Sequence, residues 1–212
     1  MSSTSVSIES ESFRYSPEFS RETTRANLYL LVSRVFSSPL EMDEKLPVQL
    51  RLLIPDLPPP LQYDVLLVAT AWEKALENRE TLSLAYARLF LGPFDILASP
   101  YASFYIEPDQ RLMGEVSQYV ARAYAEAGLG PGRGPREAPD HVALEWEFMY
   151  YLTHQYVTTG EEHWLDQRKI FRSTHLDHWM PLLTKAIAQA GEHKFYNAVA
   201  VLLTVLLNNT EF

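Results

Sequence analysis

Apolar residues recur at intervals of three and four along nearly the whole chain, which is the spacing of one face of an α-helix. Strand-like alternation is scarce, and the chain contains neither Asn-Gly nor Asp-Gly, the usual hairpin turns. The pattern predicts helices over about residues 18–36, 43–54, 61–77, 80–91, 109–127, 140–157, 161–171, 174–190 and 192–207. We therefore expect an all-α fold, a single-chain helical bundle of about nine or more helices.

Composition divides the chain into a tail, a helical domain and a hinge within that domain. Residues 1–17 are rich in Ser and Glu, and we expect them to be a disordered tail before a helical domain over 18–212. Residues 128–139, GLGPGRGPREAP, are typical of a hinge between the N- and C-terminal parts. Gly128 is expected to cap the preceding helix in the left-handed conformation.

Two local signals concern the predicted helix 174–190. Thr174 and Asp177 have the spacing of a capping box, which predicts that the helix begins there. Pro181 would remove one backbone hydrogen bond, so a kink or a restart is expected at that position.

The charge balance restricts the classes of partner. The 212 residues carry a net charge of −9, which argues against nucleic acid and suits a basic peptide or protein. The absence of cysteine excludes disulfides, thiolate metal sites and cysteine nucleophiles, and is compatible with the cytoplasm. No targeting segment or membrane span is visible, so we expect a cytoplasmic protein.

The loop over residues 93–108 is unusually apolar for a connection between helices. It carries Phe94, Ile96, Leu97, Tyr101, Phe104 and Tyr105. Such a loop either packs on its own domain, which residue type alone favours, or presents an apolar surface to a ligand.

The predicted helix from Asp140 places ionisable residues among apolar ones. His141 and Glu145 fall on the apolar face, four residues apart, so their side chains are expected to meet. The pair is either a hydrogen bond that fixes the helix to a neighbour or a polar anchor in an apolar groove, and spacing does not separate the two. Asp140 suits the N-cap of this helix, and together with Glu147 it lies on the predicted polar edge.

Signals for catalysis are weak. His175 and His178 are three residues apart and, with a carboxylate, form a possible zinc site, which leaves a helical metal-dependent enzyme as the alternative function. However, the chain has no HExxH, no GxSxG and no phosphate-binding glycine loop, and the serines cluster in the tail. We therefore expect no metal site and no cofactor, with GTP a remote alternative.

Three blocks of sequence resemble the TorD/DmsD family of molybdoenzyme chaperones. The first is YxxLFxGP followed by PYxSxY over residues 86–105, and the second is E-x-PDH-V-x-x-E-x-E-F-M over 137–149. The third is FxxxHLxxWMP followed by FYxxxAxLL over 171–207. They occur in the order and spacing of the family, and the block with Pro-Asp-His is the most specific.

The resemblance implies an all-helical chaperone rather than an enzyme. Such a protein binds the twin-arginine signal peptide and apo form of a molybdopterin-containing oxidoreductase, assists cofactor insertion and delays export until folding is complete. The molybdopterin guanine dinucleotide belongs to the client, and the chaperone is a monomer or a homodimer that exchanges halves across the hinge.

The matching positions give the candidate signal-peptide and client-binding residues. They are Tyr101, Ser103, Tyr105, Asp140, His141, Glu145 and Glu147. Glu145, and with it Glu147, is expected to face arginine. Asp140 and His141 are expected to anchor the peptide backbone or fix the hinge. The tyrosines are expected to line an apolar channel. Several relatives have Trp where this chain has Tyr101, which bears on client preference.

Overall fold

The structure, a computed structural model, describes residues 17–41, 43–92, 95–109, 113–130 and 137–209. Within these residues the regular elements are helices. The elements are α1 (Pro17–Val35), α2 (Leu46–Leu53) with a 3-10 turn (Ile54–Asp56), α3 (Pro59–Leu76), α4 (Arg79–Tyr86) with a π turn (Ala87–Leu91), α5 (Ala102–Ile106), α6 (Glu115–Glu126), α7 (Val142–Thr159), α8 (His163–Phe171) with a π turn (Arg172–Leu176), α9 (Asp177–Ala190) and α10 (Lys194–Asn208). The predicted all-α class is confirmed. The expected tail, apart from Pro17, and the centre of the expected hinge lie outside the described residues.

Two helix pairs form much of the core. Helix α1 buries one apolar stripe, which comprises Leu28, Leu31, Val32 and Val35. Helix α1 packs along α7, where the rings of Tyr29 and Trp146 lie 5.3 Å apart. Helix α3 packs on α10, where Trp72 meets Phe195 edge-on at 4.9 Å. Large buried aromatic side chains thus fix both pairs.

The helix predicted from Asp109 begins later, at Glu115. Gly114 precedes it with an extended backbone (φ −83°, ψ −152°), and Met113 has a positive φ of 62°. The Glu107 carboxylate accepts a hydrogen bond from Val116 N at 2.9 Å and so satisfies one free donor at the start of α6. The short helix α5 before this turn was not predicted.

The predicted capping box at Thr174 is wrong. Thr174 lies within a π turn that joins α8 to α9, and its hydroxyl donates to Ile170 O at 2.6 Å. Helix α9 runs through Pro181 without restarting, so the irregularity lies before the proline, in the π turn. Sequence spacing alone did not reveal this because a π turn adds a residue without leaving the helix.

The predicted left-handed cap at Gly128 is confirmed. Its φ is +83°, Leu129 N donates to Tyr124 O at 2.9 Å, and Gly128 N donates to Ala125 O at 3.0 Å. These two bonds form a Schellman motif at the end of α6.

None of the described helices has both the length and the apolar character needed to cross a membrane.

Candidate functional site

A short antiparallel bridge joins the apolar loop to the start of α7. Val142 N donates to Pro100 O at 2.8 Å, and Ala102 N donates to Asp140 O at 3.0 Å. The bridge sets Tyr101 beside His141, with ring centroids 5.2 Å apart and nearly perpendicular at 71°. Two segments that are forty residues apart in sequence therefore form one site.

Asp140 is fully buried and ties three segments together. One carboxylate oxygen accepts from Ser103 N at 2.9 Å, and the other accepts from the Ser117 hydroxyl at 2.5 Å. Ser117 in turn accepts from Met113 N at 3.1 Å. The prediction that Asp140 caps α7 from its polar edge is wrong, because the carboxylate turns inward to α5 and α6. Its hydrogen bonds hold α5 and α6 against the start of α7.

His141 is the N-cap of α7 instead. Its Nδ1 accepts a hydrogen bond from Ala143 N at 3.2 Å, so this nitrogen carries no proton. Burial lowers the pKa of His141, although the charges of Glu137 and Asp140 oppose the shift. The imidazole is therefore neutral near pH 7 and adds no positive charge to the site.

Tyr101 and Glu137 form the exposed edge of the site. The Tyr101 hydroxyl donates to a carboxylate oxygen of Glu137, which is itself exposed. Burial, followed by the hydrogen bond to Glu137 and its charge, raises the pKa of Tyr101, so the phenol stays protonated. Glu137 was not among the predicted site residues. Its signal was available as the first letter of the E-x-PDH block.

Glu145 is fully buried and bonded to α9 and the π turn before it. His175 Nε2 lies 2.6 Å from one carboxylate oxygen, and Trp179 Nε1 donates to the other at 2.9 Å. The expected side-chain pair of Glu145 with His141 is therefore wrong, because the partner of the carboxylate is His175. Burial raises the pKa of Glu145 to about 7, against the opposing effects of His175 and Trp179.

The remaining predicted residues divide between interior and surface. Ser103 is fully buried, and Tyr105 stacks on Trp179 with ring centroids 5.9 Å apart. Neither hydroxyl has a hydrogen-bond partner within the described ranges. Glu147 is exposed on α7, 3.8 Å from Arg34, at a separation typical of a weak surface pair.

The histidines of the alternative metal site point to different environments. His175 is buried against Glu145, whereas His178 is exposed. They do not share a face as the spacing had suggested. Residues 17–41, 43–92, 95–109, 113–130 and 137–209 contain no group of His, Cys, Asp and Glu suited to a metal.

The site has an exposed polar edge, and the loop that carries Tyr101 also exposes apolar side chains. Tyr101 and Glu137 form the edge, which we call the Tyr101–Glu137 surface, and the buried ring of His141 packs on Tyr101. Ile96 and Leu97, earlier in the same loop, remain exposed, while Ala98 N donates to Leu89 O at 2.9 Å and fixes the loop to the π turn after α4. Docking of the loop is thus partial, and Phe94 lies outside the described residues. An exposed carboxylate and exposed apolar side chains can contact a ligand that has a basic and an apolar part.

Fold and site together define a helical binding protein, and comparison with known proteins places it in a family. Residues 54–185 match the family described as Nitrate reductase delta subunit, and the chain belongs to that family. The curated relatives of this family member are chaperones of the TorD and DmsD type and not catalytic enzymes.

Relatives in three organisms illustrate the similarity. Chaperone protein TorD of Vibrio vulnificus (strain YJ016) is 24% identical over 191 residues, covering 84% of this chain and 89% of the relative. Tat proofreading chaperone DmsD of Salmonella typhi is 25% identical over 148 residues, covering 70% and 69%. A crystal structure of an Archaeoglobus fulgidus protein assigned to redox enzyme maturation shares the fold, with a TM-score of 0.53, 21% identity, and coverage of 85% and 93%.

Proposed function

We propose that this chaperone binds the twin-arginine signal peptide and the apo form of a molybdopterin-containing oxidoreductase, assists cofactor insertion and delays export until folding is complete. The observation that carries the proposal is the exposed Glu137 carboxylate, held by Tyr101 of a loop that also exposes Ile96 and Leu97. A twin-arginine signal peptide has the matching order, a basic end followed by an apolar stretch.

Glu137 is the best placed carboxylate for the arginine. A guanidinium binds a carboxylate through two parallel hydrogen bonds, which requires an accessible carboxylate edge. Glu137 is exposed, whereas both oxygens of Glu145 are already bonded in the interior. The net charge of −9 further favours the approach of a basic peptide.

The apolar stretch of the peptide would pack on Ile96, Leu97 and the ring of Tyr101. Ile96 and Leu97 are exposed to 38% and 40%, an apolar surface that water does not favour. The buried residues have a supporting role: Asp140 and Ser103 hold the loop in register, while Glu145 and Tyr105 fix α7 and α5 to α9.

The same proposal covers the biological setting. The chaperone would act in the cytoplasm, before export, as a monomer or a homodimer that exchanges halves across residues 128–139. It would need no cofactor of its own, because the molybdopterin guanine dinucleotide is inserted into the client.

Titration calorimetry with a panel of twin-arginine signal peptides from molybdopterin oxidoreductases tests the proposal. Each peptide is paired with a twin-lysine version that keeps the charge but loses the bidentate guanidinium. We expect saturable binding of at least one peptide, weakened about tenfold in its lysine version, a loss of about 1.4 kcal/mol. Equal binding of both versions, or no binding of any, would remove the signal peptide from the proposal.

A further inference from the structure

A second surface, formed by other residues than the Tyr101–Glu137 surface, lies between α3 and α10. It is a groove of about 700 Å³. Its lining includes Leu67, Ala71 and Lys74 of α3 and Lys194, Asn197 and Val201 of α10. We call it the α3–α10 groove. None of its lining residues belongs to the site described above.

The groove has an apolar floor and exposed apolar rims. Ala75 and Ala198 are buried at its floor, and their small side chains permit close approach of a backbone. Leu67 and Val201 at the rims are exposed to 38% and 47%. A groove between two packed helices with this lining accepts the apolar face of a third helix.

The charges along the groove are basic, although the whole chain is acidic. Lys74 and Lys194 are both exposed, and neither forms an ion pair with another described residue. The acidic residue of the lining, Glu192, is already paired with Arg88 at 3.0 Å. An occupant with carboxylates is therefore favoured over a basic one.

One buried polar atom in the groove also lacks a partner. The Asn197 Oδ1 atom is buried and accepts no hydrogen bond from any residue in the described part of the chain. A buried amide oxygen without a donor costs free energy until a donor reaches it.

From these features we infer that the α3–α10 groove binds an amphipathic helix of a partner protein, with apolar side chains toward Leu67 and Val201 and carboxylates toward Lys74 and Lys194. The seven-residue span from Leu67 to Lys74 is about 10 Å along a helix axis, enough for about two turns of the partner. The inference does not rest on signal-peptide binding, because a basic peptide would be repelled here. The chaperone thus has two surfaces of opposite charge preference.

A pair of synthetic helices tests the inference with the full-length protein. The first is a fluorescein-labelled amphipathic peptide of about 14 residues with leucines on one face and glutamates beside them; the second carries lysines in place of the glutamates. Fluorescence anisotropy should show saturable binding of the acidic peptide at least about tenfold tighter than of the basic one. Equal affinity of the two peptides, or no saturable binding of the acidic one, would overturn the inference.

Surface variants locate the binding. The double variant Lys74→Glu/Lys194→Glu should weaken acidic-peptide binding about tenfold, and Val201→Glu should weaken it similarly by adding a charge to the apolar rim. The double variant Lys169→Glu/Lys185→Glu changes two exposed lysines outside the groove by the same total charge, so it is the matched control and should have no effect. An equal loss in this control would mean non-specific charge attraction and contradict a groove site. Loss of a dimer in Val201→Glu, seen by sedimentation, would make the groove a self-interface and equally overturn the inference.

Discussion

Glu145 shows how burial changes what a residue can do. The sequence suggested that its carboxylate faces a peptide arginine, but the side chain is fully buried, with one oxygen near His175 and the other bonded to Trp179. A carboxylate in such a place contributes mainly to stability, because its removal leaves the buried polar groups of His175 and Trp179 without a hydrogen-bond partner. We therefore expect Glu145→Gln to alter stability much more than peptide affinity.

The pH dependence of stability tests this role. Burial raises the pKa of Glu145 from 4.5 to about 7, so the folded state holds this proton more tightly than the unfolded state. The contribution of the group to stability is complete below about pH 4.5 and is lost as the pH rises through about 7. His175 and Trp179 face the carboxylate directly, and Asp140 adds a repulsive charge.

In urea unfolding, the stability of the wild type relative to Glu145→Gln should therefore fall between pH 4.5 and pH 8, by on the order of 1–3 kcal/mol. Glu147→Gln, an exposed residue of the same helix, is the control and should show no such trend. A difference that stays constant, or grows as the pH rises, would contradict the assignment.

At the scale of the element, the cap at the end of α6 was predictable because it depends on a local signal. Gly128 ends the helix with a φ of +83°, and a Cβ placed there would meet no atom within 4 Å apart from those of its neighbours in the chain. Any cost of a side chain is therefore conformational and not steric.

We expect Gly128→Ala to lower the free energy of unfolding by about 1 kcal/mol. Gly130→Ala is a close control, because a Cβ there also meets nothing and its φ lies outside the left-handed region. It should be neutral or slightly stabilising, since alanine restricts the unfolded chain. Equal effects of the two substitutions in thermal unfolding would show that the left-handed cap is not the cause.

Two local irregularities had no sequence signature. They are the π turn over Arg172–Leu176 and the late start of α6, where the Glu107 carboxylate accepts from Val116 N. The same holds for the partner of Glu145, because the sequence placed His141 four residues away while folding brought His175 to the carboxylate. Local periodicity thus predicted the helices, but not the long-range bonds that define the site.

In the whole molecule, a buried ionic cluster connects the beginning of the described chain to its C-terminal half. Glu22 of α1 is bonded to Arg25 and to Arg168 of α8, and Arg168 also donates to the Thr153 hydroxyl at 3.2 Å. Burial opposes ionisation, but the hydrogen bonds and charges of Arg168 and Arg25 prevail and lower the pKa of Glu22. Its contribution is present above about pH 4.5 and is lost in acid.

Glu22→Ala should destabilise the protein by about 3–5 kcal/mol, because the buried Arg168 would lose the carboxylate that it is paired with. Glu44→Ala removes an exposed pair with Arg79 at 2.8 Å and should cost less than about 1 kcal/mol. Urea unfolding of both variants provides the comparison. A similar small cost in both would show that the cluster does not hold α1 to α8.

The most direct test of the proposed function is a double-mutant cycle between Glu137 and the peptide arginines. Calorimetry would measure twin-arginine and twin-lysine peptides against the wild type, Glu137→Gln and the control Glu80→Gln, an exposed carboxylate of α4 outside the candidate site. We predict a coupling of about 1–2 kcal/mol, so that Glu137→Gln loses most of the preference for arginine while Glu80→Gln keeps it. An unchanged preference in Glu137→Gln would contradict recognition of arginine at the Tyr101–Glu137 surface.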